Sequence, residues 1–273
     1  MTNARPPLLM GVLNVTPDSF SDGGAFLDPA HAIDHALRLV EEGAAIIDIG
    51  GESTRPGADM IDEATELARV LPVIRGLSAQ TAAAISIDTR KPRVARACVE
   101  AGASIWNDVS ALTFAPDSLA TAAALDCRIV LMHAAGDPKT MQDDPRYDDV
   151  VAEVAAFFSA RLAACERAGV ARARLILDPG IGFGKTPAHN LQLIGGLGAF
   201  TAPGRPVLLG ASRKRFIAAL DRKGPASARL GGSIAAALAG AARGAAILRV
   251  HDVAATRQAL AVHFAVETGA PAR

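Results

Sequence analysis

The sequence predicts a (β/α)8 barrel in one domain, and three observations predict it. Eight short apolar runs recur along the chain, each runs into a polar or charged residue, and helix-like stretches separate them. Such runs suit strands of a parallel sheet covered on both faces. Polar groups collected at their C-terminal ends mark the working face of a barrel. The expected domain spans 1–273, with its core over about 8–268.

The elements follow in order. The first run, 8–13, ends at Asn14, and a polar segment leads to Asp28, a suitable N-cap with Pro29 at the first helical position of a helix over 29–42. The second run, 45–47, ends at Asp48; the third, 85–87, at Asp88; the fourth, 105–106, at Asn107. The fifth, 129–132, ends at His133, and apolar residues at spacings of three and four predict a helix over 148–168. The sixth, 175–177, ends at Asp178, and the seventh, 207–211, at Ser212. An Ala- and Gly-rich helix over 227–243 suits close packing, a second subunit included. The eighth run, 247–248, ends at Arg249, and a last helix covers 253–267.

Loop lengths distinguish the two ends of the barrel. Long polar segments leave the strands at 14–28, 50–62 and 134–147, whereas Glu42-Gly43-Ala44, Ala101-Gly102-Ala103 and Arg243-Gly244-Ala245 return quickly from helix to strand. Glycine just past a helix end supplies the left-handed conformation other residues resist. The long loops are therefore free for function.

Composition narrows the function classes. The chain of 273 residues carries 28 basic and 28 acidic residues, so no global field favours nucleic acid or an anionic membrane. Half the residues are apolar, yet no run is long enough to cross a bilayer and 1–7 lacks a secretory apolar stretch. Cys98, Cys127 and Cys165 are odd in number and widely spaced, which suits reduced core residues of a cytoplasmic protein.

The chemistry gathers at the strand ends. Asp48, Asp88, Asn107 and Asp178 leave four different strands and converge on one mouth, where carboxylates and amides match the amino-plus-NH edge of a flat, nitrogen-rich ring. Asp48 and Asp108 are the members best read as structural. The segment Asp178-Pro179-Gly180-Ile181-Gly182-Phe183-Gly184-Lys185-Thr186 fits neither a Walker A loop nor G-x-G-x-x-G; it lets backbone approach a planar ligand that Phe183 covers. Ser212-Arg213-Lys214-Arg215 places three cations after the seventh run, and Arg249 and His251, two apart on a strand, share a face and can grip one anion. His133 reads as structural. The loops Asn14-Val15-Thr16-Pro17-Asp18-Ser19-Phe20-Ser21-Asp22-Gly23-Gly24 and Gly50-Gly51-Glu52-Ser53-Thr54-Arg55-Pro56-Gly57 read as covers that exclude water.

These segments, with Ser86-Ile87-Asp88-Thr89, Leu131-Met132-His133 and Arg249-Val250-His251-Asp252-Val253, resemble the dihydropteroate synthase family over nearly the whole chain, in the family's order. The resemblance implies condensation of 6-hydroxymethyl-7,8-dihydropterin diphosphate with 4-aminobenzoate, a step of folate synthesis that sulfonamides target. It implies pterin contacts from Asp88, Asn107, Met132, Asp178, Gly182, Phe183 and Lys214. It puts the diphosphate at Asn14, Arg249 and His251, with Mg²⁺ at Asn14, and the catalytic roles on Asp88, Lys214, Arg249 and His251. Phe20, Asp22, Thr54, Arg55 and Pro56 fall in the loops that form the aminobenzoate site, with Arg215 standing where many members carry Ser. A homodimer through helices near the C-terminus is implied as well. Two rivals share the barrel: pterin-binding methyltransferases, which need no diphosphate clamp, and a degenerate paralogue that binds pterin without turnover.

Overall fold

The structure is a computed structural model that describes residues 6–16, 28–53, 59–136 and 140–269. The strands form in the expected order: β1 (Leu8–Asn14), β2 (Ile46–Gly50), β3 (Ala84–Asp88), β4 (Ile105–Asp108), β5 (Arg128–Met132), β6 (Leu175–Asp178), β7 (Leu208–Leu209) and β8 (Ile247–Val250). All pair in parallel in the order β6-β5-β4-β3-β2-β1-β8-β7, and a bridge from Leu177 to Val207 joins the two ends into a barrel. This is the (β/α)8 architecture the apolar runs predict.

Helices α1 (Pro29–Glu41), α2 (Glu63–Ser78), α3 (Pro92–Glu100) and α4 (Ser118–Ala124) follow the first four strands, and α5 (Val150–Arg167) follows β5. Then come α6 (Pro187–Gly195), α7 (Gly198–Thr201), α8 (Arg215–Leu220), α9 (Leu230–Ala241) and α10 (Val253–Thr268). Asp28 caps α1 by accepting from the Ala30 amide at 2.9 Å, and Asp149 caps α5 by accepting from Val151 and Ala152. Each satisfies donors that the first turn leaves without an intrahelical partner. Gly43, Gly102 and Gly244 turn helix into strand at φ of 111°, 119° and 92°, the left-handed region their place past a helix end requires.

The helix predicted over 227–243 divides, because a 3-10 turn at Ala226–Arg229 precedes α9. Its small residues serve packing inside the chain. A Cβ on Gly240 would collide with the Leu209 side chain of β7, and one on Gly232 with Ile217 of α8.

Two apolar clusters hold the barrel. The larger lies between strands and helices, with Trp106, Phe158 and Phe200 fully buried in it. The smaller fills the barrel itself: Met10, Ile46, Ile105, Val130, Ile176, Leu208 and Ile247, one from each of seven strands. β3 differs, since its inward positions are Ala84 and Ser86. Ile176→Ala is expected to cost about 2–5 kcal/mol, because the enclosed layer has little room to collapse. Chemical denaturation followed through Trp106, the single tryptophan, measures it, and an unchanged midpoint would contradict the placement of Ile176.

Candidate active site

Strand geometry converts the inner apolar layer into the site. Side chains two apart on a strand share a face. Moving two residues toward the strand ends takes Ile46 to Asp48, Ile105 to Asn107, Val130 to Met132, Ile176 to Asp178 and Ile247 to Arg249. On β3 the same step leads from Ser86 to Asp88. A polar layer therefore rests directly on an apolar one.

Arg249 organises that layer. Its Nε donates to Asp48 Oδ2 at 2.6 Å and its Nη2 to Asp88 Oδ2 at 2.8 Å, which bridges β8 to β2 and β3. Asn107 Nδ2 donates to the same Asp48 oxygen at 3.1 Å. The other oxygens, Asp48 Oδ1 and Asp88 Oδ1, are buried and accept from no partner among the described residues. Buried acceptors left open in this way call for a ligand donor. Burial, with Asp48 adding to it, pushes the Asp88 carboxyl well above the ordinary carboxylate range despite Arg249. Burial likewise raises Asp178 to about 6, against an amide bond from Gly180 and the nearby cations. Asp108 turns aside and caps its own loop by accepting from Ser110 and Leu112.

The glycine-rich loop forms one wall. Gly180, Gly182 and Gly184 take φ of 68°, 83° and 64°, and a Cβ on Gly180 would collide with the His133 carbonyl. Asn190 accepts from the Gly182 amide at 2.7 Å, Gln142 donates to the Gly182 carbonyl at 2.6 Å, and Tyr147 donates to the Gly184 carbonyl at 3.0 Å. Buried Lys185 staples the loop to β5: its Nζ lies 2.9 Å from His133 Nδ1 and donates to the carbonyls of His133 at 3.2 Å and Phe183 at 2.9 Å. Burial lowers Lys185 to about 7 and His133 to about 3, so the imidazole is a neutral acceptor in a structural contact. Held in this way, the Phe183 ring supports Lys214 Nζ at 4.0 Å from its centroid, a cation–π contact. Burial, with Arg249 adding to it, lowers Lys214 to about 8.

The cations after β7 separate. Lys214 turns into the mouth, Arg213 pairs with Asp252, and Arg215 stands exposed at the start of α8. Ser212 Oγ accepts from the His251 amide and lies 3.1 Å from His251 Nδ1. Burial and the neighbouring arginines lower His251 to about 3, so it acts as a neutral ring. Asn14 ends β1, half-buried, in register with Gly50. Phe20, Asp22, Thr54, Arg55 and Pro56 lie outside the described residues. A cavity of about 140 Å³, lined also by Glu52, Arg90 and Ser110, reaches Met132 and Phe183 of this wall. Sequence reasoning set Asp48 aside as structural and gave Lys185 no role; the inward period of β2 was the signal available for Asp48.

Barrel, acidic edge, stacking wall and cationic rim together define a barrel enzyme that binds a flat, nitrogen-rich ring and a neighbouring anion. Residues 10–251 match the family described as pterin binding enzyme. The dihydropteroate synthase of Escherichia coli (strain K12) is 48% identical over 256 residues, covering 94% of this chain and 90% of that protein. The structure of Xanthomonas albilineans dihydropteroate synthase with 4-aminobenzoic acid superposes with a TM-score of 0.91 at 52% identity, covering 96% of this chain and 93% of that one. The same enzyme in complex with 7,8-dihydropteroate gives 0.87 at 48%, with 96% and 94% covered. The chain belongs to the dihydropteroate synthase family.

Asp178→Asn tests the electrostatics of the mouth. The folded pKa of Asp178, about 6, lies above its ordinary 3.8, so wild-type stability declines as pH rises between those values. Asn keeps an acceptor for the Gly180 amide and carries no charge. The variant is expected to be more stable than wild type above pH 6, with the gain shrinking toward pH 4; a gain independent of pH would assign the shift to another group.

Proposed function

We propose that the chain condenses 6-hydroxymethyl-7,8-dihydropterin diphosphate with 4-aminobenzoate to give 7,8-dihydropteroate and diphosphate. The observation that carries this reading is the pair of open buried acceptors, Asp48 Oδ1 and Asp88 Oδ1, at a mouth whose opposite rim is cationic. The acids and Asn107 suit the amino and ring-NH edge of a pterin. Gly182, Phe183 and Met132 line its faces, and Lys214 reaches a ring nitrogen or carbonyl.

The residues act where charge develops. As the exocyclic C–O bond breaks, its electron pair leaves with diphosphate and the pterin methylene becomes cationic. Arg249 and neutral His251 face the first change, while Asp88 faces the second. When Ser212 donates to His251 Nδ1, the ring proton sits on Nε2, which can then donate to a phosphate oxygen. The arylamine nitrogen attacks the methylene and afterwards loses a proton. Phe20, Asp22, Thr54, Arg55, Pro56 and Arg215 are assigned to the aminobenzoate side.

Magnesium is assigned to Asn14. No cluster of three or more His, Cys, Asp or Glu residues among those described could hold a metal ion, whereas one amide oxygen at the mouth suits an ion completed by phosphate oxygens and water. Bound there, Mg²⁺ supplies charge neutralisation for the departing diphosphate. A homodimer through the C-terminal helices fits the exposed Leu230, Val262 and Val266. A cytoplasmic place fits the three free, buried cysteines. No helix among the described residues is long and apolar enough to cross a membrane.

The decisive experiment follows diphosphate release from the pterin diphosphate with Mg²⁺, with and without 4-aminobenzoate. Release coupled to dihydropteroate formation is expected. Pterin binding without turnover would favour the degenerate paralogue, and absence of pterin binding would overturn the site. Asp88→Asn and Arg249→Met should each lower kcat/KM at least about 100-fold, the scale of losing one preorganised electrostatic partner. The pH profile of kcat/KM should fall above about 8 as Lys214 loses its proton. Lys214→Arg should remove that alkaline limb; persistence of the limb would assign it elsewhere.

A further inference from the structure

Arg213 carries a backbone conformation that its side chain does not favour. Its φ is 58°, in the left-handed region, and it is neither glycine nor asparagine. Such a residue persists only where its surroundings over-determine it, and here three side chains do so through four hydrogen bonds. The Arg213 amide donates to Ser233 Oγ at 2.9 Å, and its carbonyl accepts from Arg229 Nη1 at 2.8 Å. Its Nε and Nη2 donate to the two oxygens of Asp252 at 3.0 and 2.6 Å. Ser233 in turn donates to the Arg229 carbonyl at 2.7 Å, so α9 and the turn before it brace the same point.

The two chain neighbours of Arg213 both face the mouth. Ser212 contacts His251, and Lys214 lies over Phe183. Asp252 directly follows His251. The Arg213–Asp252 fork therefore joins the end of β7 to the end of β8 one residue away from each working group. A bidentate guanidinium–carboxylate pair fixes orientation as well as distance, which a lysine at this place does not do.

We infer that Arg213 is a positioning residue, whose fork with Asp252 holds the β7 end in the left-handed turn that sets Lys214 on Phe183 and Ser212 against His251. The inference deepens the synthase reading and rests on it.

The test uses the full chain with Mg²⁺, the pterin diphosphate and 4-aminobenzoate. Arg213→Gly removes the fork but accepts the left-handed backbone, so it isolates positioning from strain. Turnover is expected to fall about 100-fold, the loss that a misplacement of about 1 Å brings. Asp252→Asn should also lose turnover, and the double variant should be no worse than Arg213→Gly, because both act through one contact. Millimolar guanidinium should restore part of the turnover to Arg213→Gly and none to the double variant. Multiplied losses in the double variant, rescue that ignores Asp252, or wild-type turnover in Arg213→Gly would each overturn the inference.

Arg213→Lys covers the case in which the glycine variant does not fold. It should unfold with the wild-type midpoint and still lose most of its turnover; full turnover in it would overturn the clamp. A wild-type chain that binds 6-hydroxymethylpterin but releases no diphosphate would sink the synthase reading alone. Pterin affinity then decides the clamp: it should drop at least tenfold in Arg213→Gly through Lys214, and an unchanged affinity would overturn it.

Discussion

Everything at the mouth of this barrel depends on one guanidinium. Arg249 stands between Asp48 and Asp88, residues 201 and 161 positions away in the chain, and neutralises carboxylates that could not be buried together otherwise. Two like charges at this distance from water force one of them to take a proton. A planar fork reaches two carboxylates on different strands at once, which a lysine ammonium on a flexible stem does less well. The desolvation of such a cluster offsets much of its Coulombic attraction, so the ion pair contributes little net stability. What it supplies is placement. Two carboxylate oxygens are consumed by Arg249, and the other two are left open.

The layer below makes that placement rigid. The apolar residues that fill the barrel lie two positions before the functional ones, so the same strand pleat that packs the interior aims the site. β3 is the instructive strand. It offers Ala84 and Ser86 where other strands offer larger apolar groups, and Ser86 Oγ is buried without a partner among the described residues. The strand that carries Asp88 gives up packing, and the full interdigitation of seven others offsets this. A site built on strand ends in this way gains precision that loops alone do not give.

The strands were legible because their signals are local. Apolar runs, helix caps at Asp28, and glycines at 43, 102 and 244 each act within a few residues, and each forms as its chemistry requires. Convergence of Asp88, Asn107, Asp178 and Arg249 followed from topology once the barrel was granted. The partner that Asp48 holds lay beyond reach of local reading, because no local pattern reports a pairing across 201 residues. The residues alone gave the cationic stretch 213–215 only as three adjacent charges, for the same reason. Only the left-handed turn at Arg213, which its sequence does not announce, sends the three side chains to three different places. The broken start of α9 belongs to this group, since Arg229 leaves the helix to reach the Arg213 carbonyl and the Gly224 carbonyl.

The chain has no net charge, so its field at the mouth is made locally rather than by the protein as a whole. The acids Asp48, Asp88 and Asp178 come from β2, β3 and β6, while Ser212 and Lys214 follow β7 and His251 follows β8, with Arg249 at the border. The mouth is thus polarised from an acidic edge toward a cationic rim. A bond that breaks into a cationic ring fragment and an anionic leaving group lies along this polarisation when the ring meets the acids and the anion meets the rim. Because the acids are buried and Arg249 and Lys214 are fixed by ion-pair and cation–π contacts, little must reorganise as the charges separate, and such a fixed field acts on the transition state more than on the neutral ground state. The altered proton affinities of Asp88, Asp178 and Lys214 are the equilibrium signature of the same arrangement. Groups kept poorly solvated for the sake of a reaction are groups that would rather be neutral.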